Sequence, residues 1–184
     1  MSFRSCVLCA GIGLLLSNQA VANTVVFGYS LTGLGSNVYR YDYSIYNNGS
    51  LGAGVPIQLF DILFDTGLYL DSSLLIVTPA PLQSQWSETW LSQLPQLPAA
   101  YDVLALGGGI PVGSWVSGFA VQFTWLGPGL PGSQPFRIYS PQTFEVLQTG
   151  NTSPEPSFFG ALGLSLAYGV WKVRRRQAST RTSR

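Results

Sequence analysis

The sequence predicts an all-β fold: an antiparallel β-sandwich of the jelly-roll or immunoglobulin-like kind with one short helix, flanked by an N-terminal signal helix and a C-terminal transmembrane helix. Three observations carry this. About eight short apolar runs alternate with turn-forming residues, in a chain of 184 residues that holds 21 Gly and 12 Pro. Hydrophobic residues make up 46%, aromatics 13% and charged residues 9%, which is ample apolar surface for a core and too little charge for a disordered chain. Each end carries an uncharged apolar stretch with basic residues beside it.

The first element is an export signal. Arg4 supplies the positive start, Cys6 to Leu16 an apolar run of 11 residues, and Ala20 and Ala22 the small residues that a signal peptidase reads. Residues 1–22 are therefore expected to be removed, leaving Asn23 first. The run is shorter than the roughly 20 residues of a membrane-spanning helix. The 2 cysteines, Cys6 and Cys9, both lie in this signal, so the exported part has no disulfide and no thiolate chemistry. With 0 His, a His-based triad or His metal site is excluded as well.

Residues 23–152 form the exported body. Val38 to Tyr46 alternates, with Tyr39, Tyr41, Tyr43 and Ile45 on one face and Arg40, Asp42 and Ser44 on the other. Asn47-Asn48-Gly49-Ser50 then signals a turn. Ile57 to Phe64 is apolar on both faces, as a central strand would be. Trp115 to Trp125 places Trp115, Phe119, Val121, Phe123 and Trp125 on one face. Shorter strands are expected at Thr24–Tyr29, Leu74–Val77, Tyr101–Leu106, Pro135–Tyr139 and Thr143–Gln148. Leu82, Trp86, Trp90 and Leu94 recur every fourth residue between Pro81 and Pro95, which predicts an amphipathic helix of about three turns capping the sandwich.

The last element is Phe158 to Trp171, uncharged and mostly apolar over 14 residues. As a helix it rises about 21 Å, short of a hydrocarbon core of about 30 Å. Its flank decides the reading. Lys172, Arg174, Arg175 and Arg176 follow at once, a cytoplasmic stop under the positive-inside rule, and long basic side chains snorkel. The transmembrane helix is placed at about 158–173 and the basic tail at 174–184.

Ser153-Pro154-Glu155-Pro156-Ser157, then the apolar run, then the arginine cluster resembles the PEP-CTERM sorting signal of Gram-negative bacteria. The resemblance assigns residues 153–184 to that signal, with Pro154, Glu155 and Pro156 as its motif. It implies handling by exosortase, a membrane protease thought to cleave near the motif, so that helix and arginines leave the final product. Two prolines also stiffen the segment in an extended form that suits a processing groove. The basic end here runs on through Arg184, longer than the usual short stop. The stretch from Phe123 to Thr152 is similar to the last strands of many exported domains of this family, which are generally β-sandwiches without assigned activity. That supports the fold and names no ligand.

Within residues 23–153 two cations, Arg40 and Arg137, stand against seven acids. Such a body does not attract a polyanion, so nucleic acid is excluded as a partner. Asp61, Asp65 and Asp71 are the densest acids and the candidate for Ca²⁺, although their spacing matches no calcium loop and Asp is a common turn former. Asp61 shares a strand face with Ile57, Leu59 and Leu63, so it needs a partner; Arg40 and Arg137 are the cations available. Trp86 and Trp90 are candidates for stacking on sugar rings, against the reading that they fill the core. Gly107-Gly108-Gly109 lacks the following Lys-Ser/Thr of a phosphate loop.

The resulting expectation is an exported protein that passes through the inner membrane to the cell surface or an exopolysaccharide matrix. Its expected partners are signal peptidase, exosortase, the inner membrane and exopolysaccharide. The sandwich is structural or binding, without cofactor and without catalysis. One alternative is a glycan-binding module; another is a hydrolase built on two carboxylates, which requires two acids roughly 5 to 9.5 Å apart in a cleft.

Overall fold

A computed structural model of the chain describes residues 25–155. The signal segment with Ala20 and Ala22, Pro156, the apolar run and Lys172, Arg174, Arg175 and Arg176 lie outside the described residues. The strands are β1 (Val26–Gly35), β2 (Val38–Tyr46), β3 (Leu59–Phe64), β4 (Leu75–Ile76), β5 (Trp86–Leu91), β6 (Ala99–Ala105), β7 (Trp115–Thr124), β8 (Pro135–Tyr139), β9 (Val146–Asn151) and β10 (Ser153–Pro154). A single turn of 3-10 helix covers Asp71–Ser73, and α1 covers Ala80–Gln83. Two five-stranded sheets result, in the orders β10-β1-β2-β7-β4 and β5-β6-β3-β8-β9. All pairings are antiparallel except that of β1 with β10. Among the described residues no helix is long and apolar enough to cross a membrane.

The alternation read in β2 fixes which face turns inward: Tyr41, Tyr43 and Ile45 are buried to the last few per cent or less. β3 is central in its sheet, and all six of its residues are buried, as a two-sided apolar run requires. Aromatic rings from the two inner faces interdigitate. Phe27 stacks on Phe136 at 4.0 Å and meets Phe60 edge-on at 5.2 Å; Phe60 meets Phe119 edge-on at 5.5 Å. Offset and edge-on pairs of this kind add about 1 kcal/mol each to the burial of their area. Asn47, read from sequence as a turn former, is wholly buried at the end of β2. Its amide donates to the carbonyls of Val55 at 3.0 Å and Ile110 at 2.9 Å, tying the loops before β3 and β7 to the strand end.

Two expectations are corrected. The residues around Trp86 and Trp90 form no three-turn helix; α1 spans four residues and β5 follows it. A spacing of four is two pleats of a strand as well as about one helical turn, and Trp-Ser-Glu-Thr-Trp alternates, so both templates fit the four apolar positions. Trp115 does not share the inner face of β7. The register to β2 slips between Tyr43 and Ser44, leaving Gly118 as an extra residue with φ +104°. The bulge inverts the alternation, so Val116 packs on the core and Trp115 is 67% exposed.

Candidate functional site

The outer face of the second sheet carries the densest chemistry. Asp61 points outward from β3, opposite Asp102 of β6 on one side and Arg137 of β8 on the other. It is only 7% exposed, because Leu59 and Leu63 flank it on the same face and the neighbouring strands crowd it. The Tyr139 hydroxyl donates to Asp61 Oδ2 at 2.9 Å. Asp61 Oδ1 is buried and receives no N–H or hydroxyl donor. Asp102 faces it on β6, and burial, followed by the neighbouring Asp61 carboxylate, pushes the Asp102 carboxyl up to about 7. Burial, followed by the neighbouring groups, also raises the Tyr139 phenol above its ordinary value.

Leu59, Leu104, Tyr139 and Phe144 surround this pair and form an open pocket of about 250 Å³. Phe144 stands at its mouth with φ +57° and 71% exposure, a left-handed backbone uncommon for an aromatic residue. Arg137, one of the two cations expected to pair with Asp61, lies opposite it on β8, but among the described residues no ion pair joins them and the bond to Asp61 comes from Tyr139. Arg40, the other, pairs with Asp42 on its own strand at 2.5 Å. Asp102 and Tyr139 escaped the sequence reading. The only signal was their outward position in alternating strands, and which outward residues become neighbours depends on strand order.

The other candidate residues are dispersed. Asp65 is exposed in the loop after β3, and Asp71 opens the 3-10 turn, where it accepts from the Gln93 N–H at 3.3 Å. Among the described residues no group of three metal-ligating side chains forms. Trp86 is 4% exposed, meeting Phe119 edge-on at 5.2 Å. Trp90 is half-buried and meets Phe64 edge-on at 5.1 Å. Both belong to the inner face of β5, so neither offers a free ring face for a sugar. Asp61 and Asp102 are the two carboxylates that stand directly opposite each other on paired strands.

The beginning of the Pro154-Glu155-Pro156 segment lies at the opposite sheet. β10 adds to the edge of β1, Ser153 beside Gly28 and Pro154 beside Tyr29. The Glu155 N–H donates to the Tyr29 carbonyl at 2.8 Å, and its carboxylate accepts from the Ser44 hydroxyl. Just upstream, Thr152 is buried; its N–H donates to the Gln134 carbonyl and its hydroxyl accepts from the Gln134 N–H at 2.9 Å.

No protein-family model matches the chain, and no curated protein matches it. Among solved structures, the chain is similar to a GH20 exo-β-N-acetylglucosaminidase from Vibrio harveyi, at 8% identity and a TM-score of 0.37, over 72% of this chain and 18% of that one. The same enzyme in complex with N-acetylglucosamine gives the same figures. A type I cohesin, the seventh of ScaB from Pseudobacteroides cellulosolvens, is similar at 11% identity and a TM-score of 0.32, over 72% of this chain and 92% of that one. The chain thus spans less than a fifth of the glucosaminidase, and likenesses at these scores carry no functional argument here.

Proposed function

We propose that this chain is an exported surface or extracellular-matrix protein, sorted through a PEP-CTERM signal by exosortase, whose sandwich is structural or binding. The observation that carries the reading is the ordered tail: Pro154-Glu155-Pro156, an uncharged run to Trp171, then Lys172 and Arg174 to Arg176. The export-type start at Arg4 to Ala22 agrees in direction, since an exported body and one span leave the basic cluster inside. The position of the motif is compatible with this. The last strand of the sandwich ends at Pro154, so the motif begins where the folded body meets the apolar run.

Expression with and without an exosortase, following mass and location, tests it. The expected result is tail loss and release from the inner membrane only where exosortase is present. An unchanged mass and membrane location in both strains overturns the sorting reading. The glycan-binding alternative loses the residues it was built on, because Trp86 is core and Trp90 faces inward.

A further inference from the structure

The sequence presents Pro-Glu-Pro as a stiff, extended segment. The structure holds its first two residues in the sandwich. β10 is the only parallel addition to either sheet among the described residues, and it occupies the free edge of β1. Two groups of Glu155 are engaged at once: its backbone N–H on the Tyr29 carbonyl and its carboxylate on the Ser44 hydroxyl. A side chain at residue 28 would stand in the way. A Cβ there would lie 3.0 Å from Glu155 Cγ and 2.7 Å from Ser44 Oγ, both too close. Gly28 has no positive φ to explain it. The missing side chain lets Glu155 cross the outer face of β1 to reach β2. Upstream, the buried Thr152 and its bonds to Gln134 set the register with which Ser153 meets Gly28.

We propose that the β1 edge at Gly28 and Tyr29, with Ser44 of β2 beside it, is an intramolecular receptor for an extended Ser-Pro-Glu peptide, occupied by the chain's own Ser153–Glu155, and that exosortase must displace this strand before it can read the motif. This rests on the sorting reading above and adds its regulation. Recognition by strand addition uses the main-chain groups of the peptide, and a peptide whose N–H and carboxylate are already bonded cannot offer them to a second groove. Processing is then coupled to the fold: the motif is masked by a completed sandwich and exposed by detaching one short edge strand. The opening is local, since β10 is two residues long and exposed.

The test uses the full chain with Ser44→Ala, and with Gly28→Ala combined with Ser44→Ala. In the double variant the alanine methyl at residue 28 meets Glu155 without the Ser44 hydroxyl in its way. Exosortase-dependent tail loss is timed in cells, and amide exchange at Glu155 is measured on full-length protein from a strain without exosortase. One net hydrogen bond is worth roughly a two- to tenfold change in the open population. Both variants are therefore expected to lose the tail faster by about that factor, the double variant more, with Glu155 exchange accelerated in parallel. Equal cleavage rates overturn the masking, and slower cleavage shows instead that the sheet presents the motif. If no form is cleaved in an exosortase-dependent way, the sorting reading fails; the exchange data then still decide the docking, which falls if Glu155 exchanges freely in the unaltered chain.

Discussion

Asp102 and Asp61 stand directly opposite each other on β6 and β3, where like charges repel. The conflict is relieved by a proton. An unfolded aspartate ionises near pH 4, whereas in the folded chain burial and Asp61 push Asp102 up to about 7. Between those values the folded state binds more protons than the unfolded one, so stability is full below about pH 4 and falls as pH rises through 7. Asp102→Asn keeps the shape and removes the charge. The variant is expected to be more stable than the parent near pH 8.5 by about 1–2 kcal/mol, discounted for partial solvent screening, and the gain should vanish near pH 4. Urea midpoints at the two pH values check this, and a gain independent of pH would mean that the fold does not hold a proton on Asp102. That Asp61 was a buried acid on a strand face could be read from its apolar neighbours at Leu59 and Leu63. Its partners could not, because Asp102 lies 41 positions away and Tyr139 78 positions away in the numbering, and only strand order joins them.

At the scale of elements, period two was legible in the strands with clear alternation or a solid apolar run, whereas β1 runs on to Gly35 beyond the expected Thr24–Tyr29 and β9 begins at Val146, later than the expected Thr143–Gln148. β2 and β8 have the bounds read from sequence, and β3, β6 and β7 differ by a residue or two at their ends. It failed at β5, where a four-residue spacing satisfies helix and strand alike, and at Trp115, where one inserted glycine inverts a face. The second failure had a local signal, since a lone glycine inside a strand pattern marks a bulge. Gly118→Ala tests that reading. The nearest atom to a methyl there is Leu82 Cδ2 at 3.8 Å, so space is available and only the φ of +104° objects. A loss of about 1–2 kcal/mol in chemical denaturation is expected. Gly132→Ala is the control: it has open space and no positive φ, and should cost nothing measurable. Equal effects at the two sites would show that the bulge relaxes.

For the molecule as a whole, the question is what joins the two sheets, since residues 25–155 contain no cysteine and the core is aromatic and aliphatic. Packing area does most of it, but one polar path crosses between them at the β4 and β5 edges. Thr78, just past β4, is buried; its hydroxyl donates to Glu88 Oε2 at 2.7 Å and accepts from the Ala120 N–H of β7 at 2.9 Å. The Tyr101 hydroxyl of β6 donates to the same Glu88 oxygen, and burial raises that phenol far above its ordinary value, so it stays a donor. One threonine thereby ties β7 of the first sheet to β5 and β6 of the second. Thr78→Val has nearly the same shape and removes both bonds, leaving a buried N–H and a carboxylate oxygen each short of a partner. Such groups cost about 1–3 kcal/mol apiece, so the variant is expected to lose about 2–4 kcal/mol. Thr78→Ser retains the hydroxyl and should lose under about 1 kcal/mol. The denaturant slope should stay the same in both, because the sheets still unfold together. A slope that falls in Thr78→Val, with separate transitions for the two sheets, would mean the path maintains cooperativity as well as stability. Equal losses in the valine and serine variants would mean that methyl packing, rather than the hydroxyl, joins the layers there.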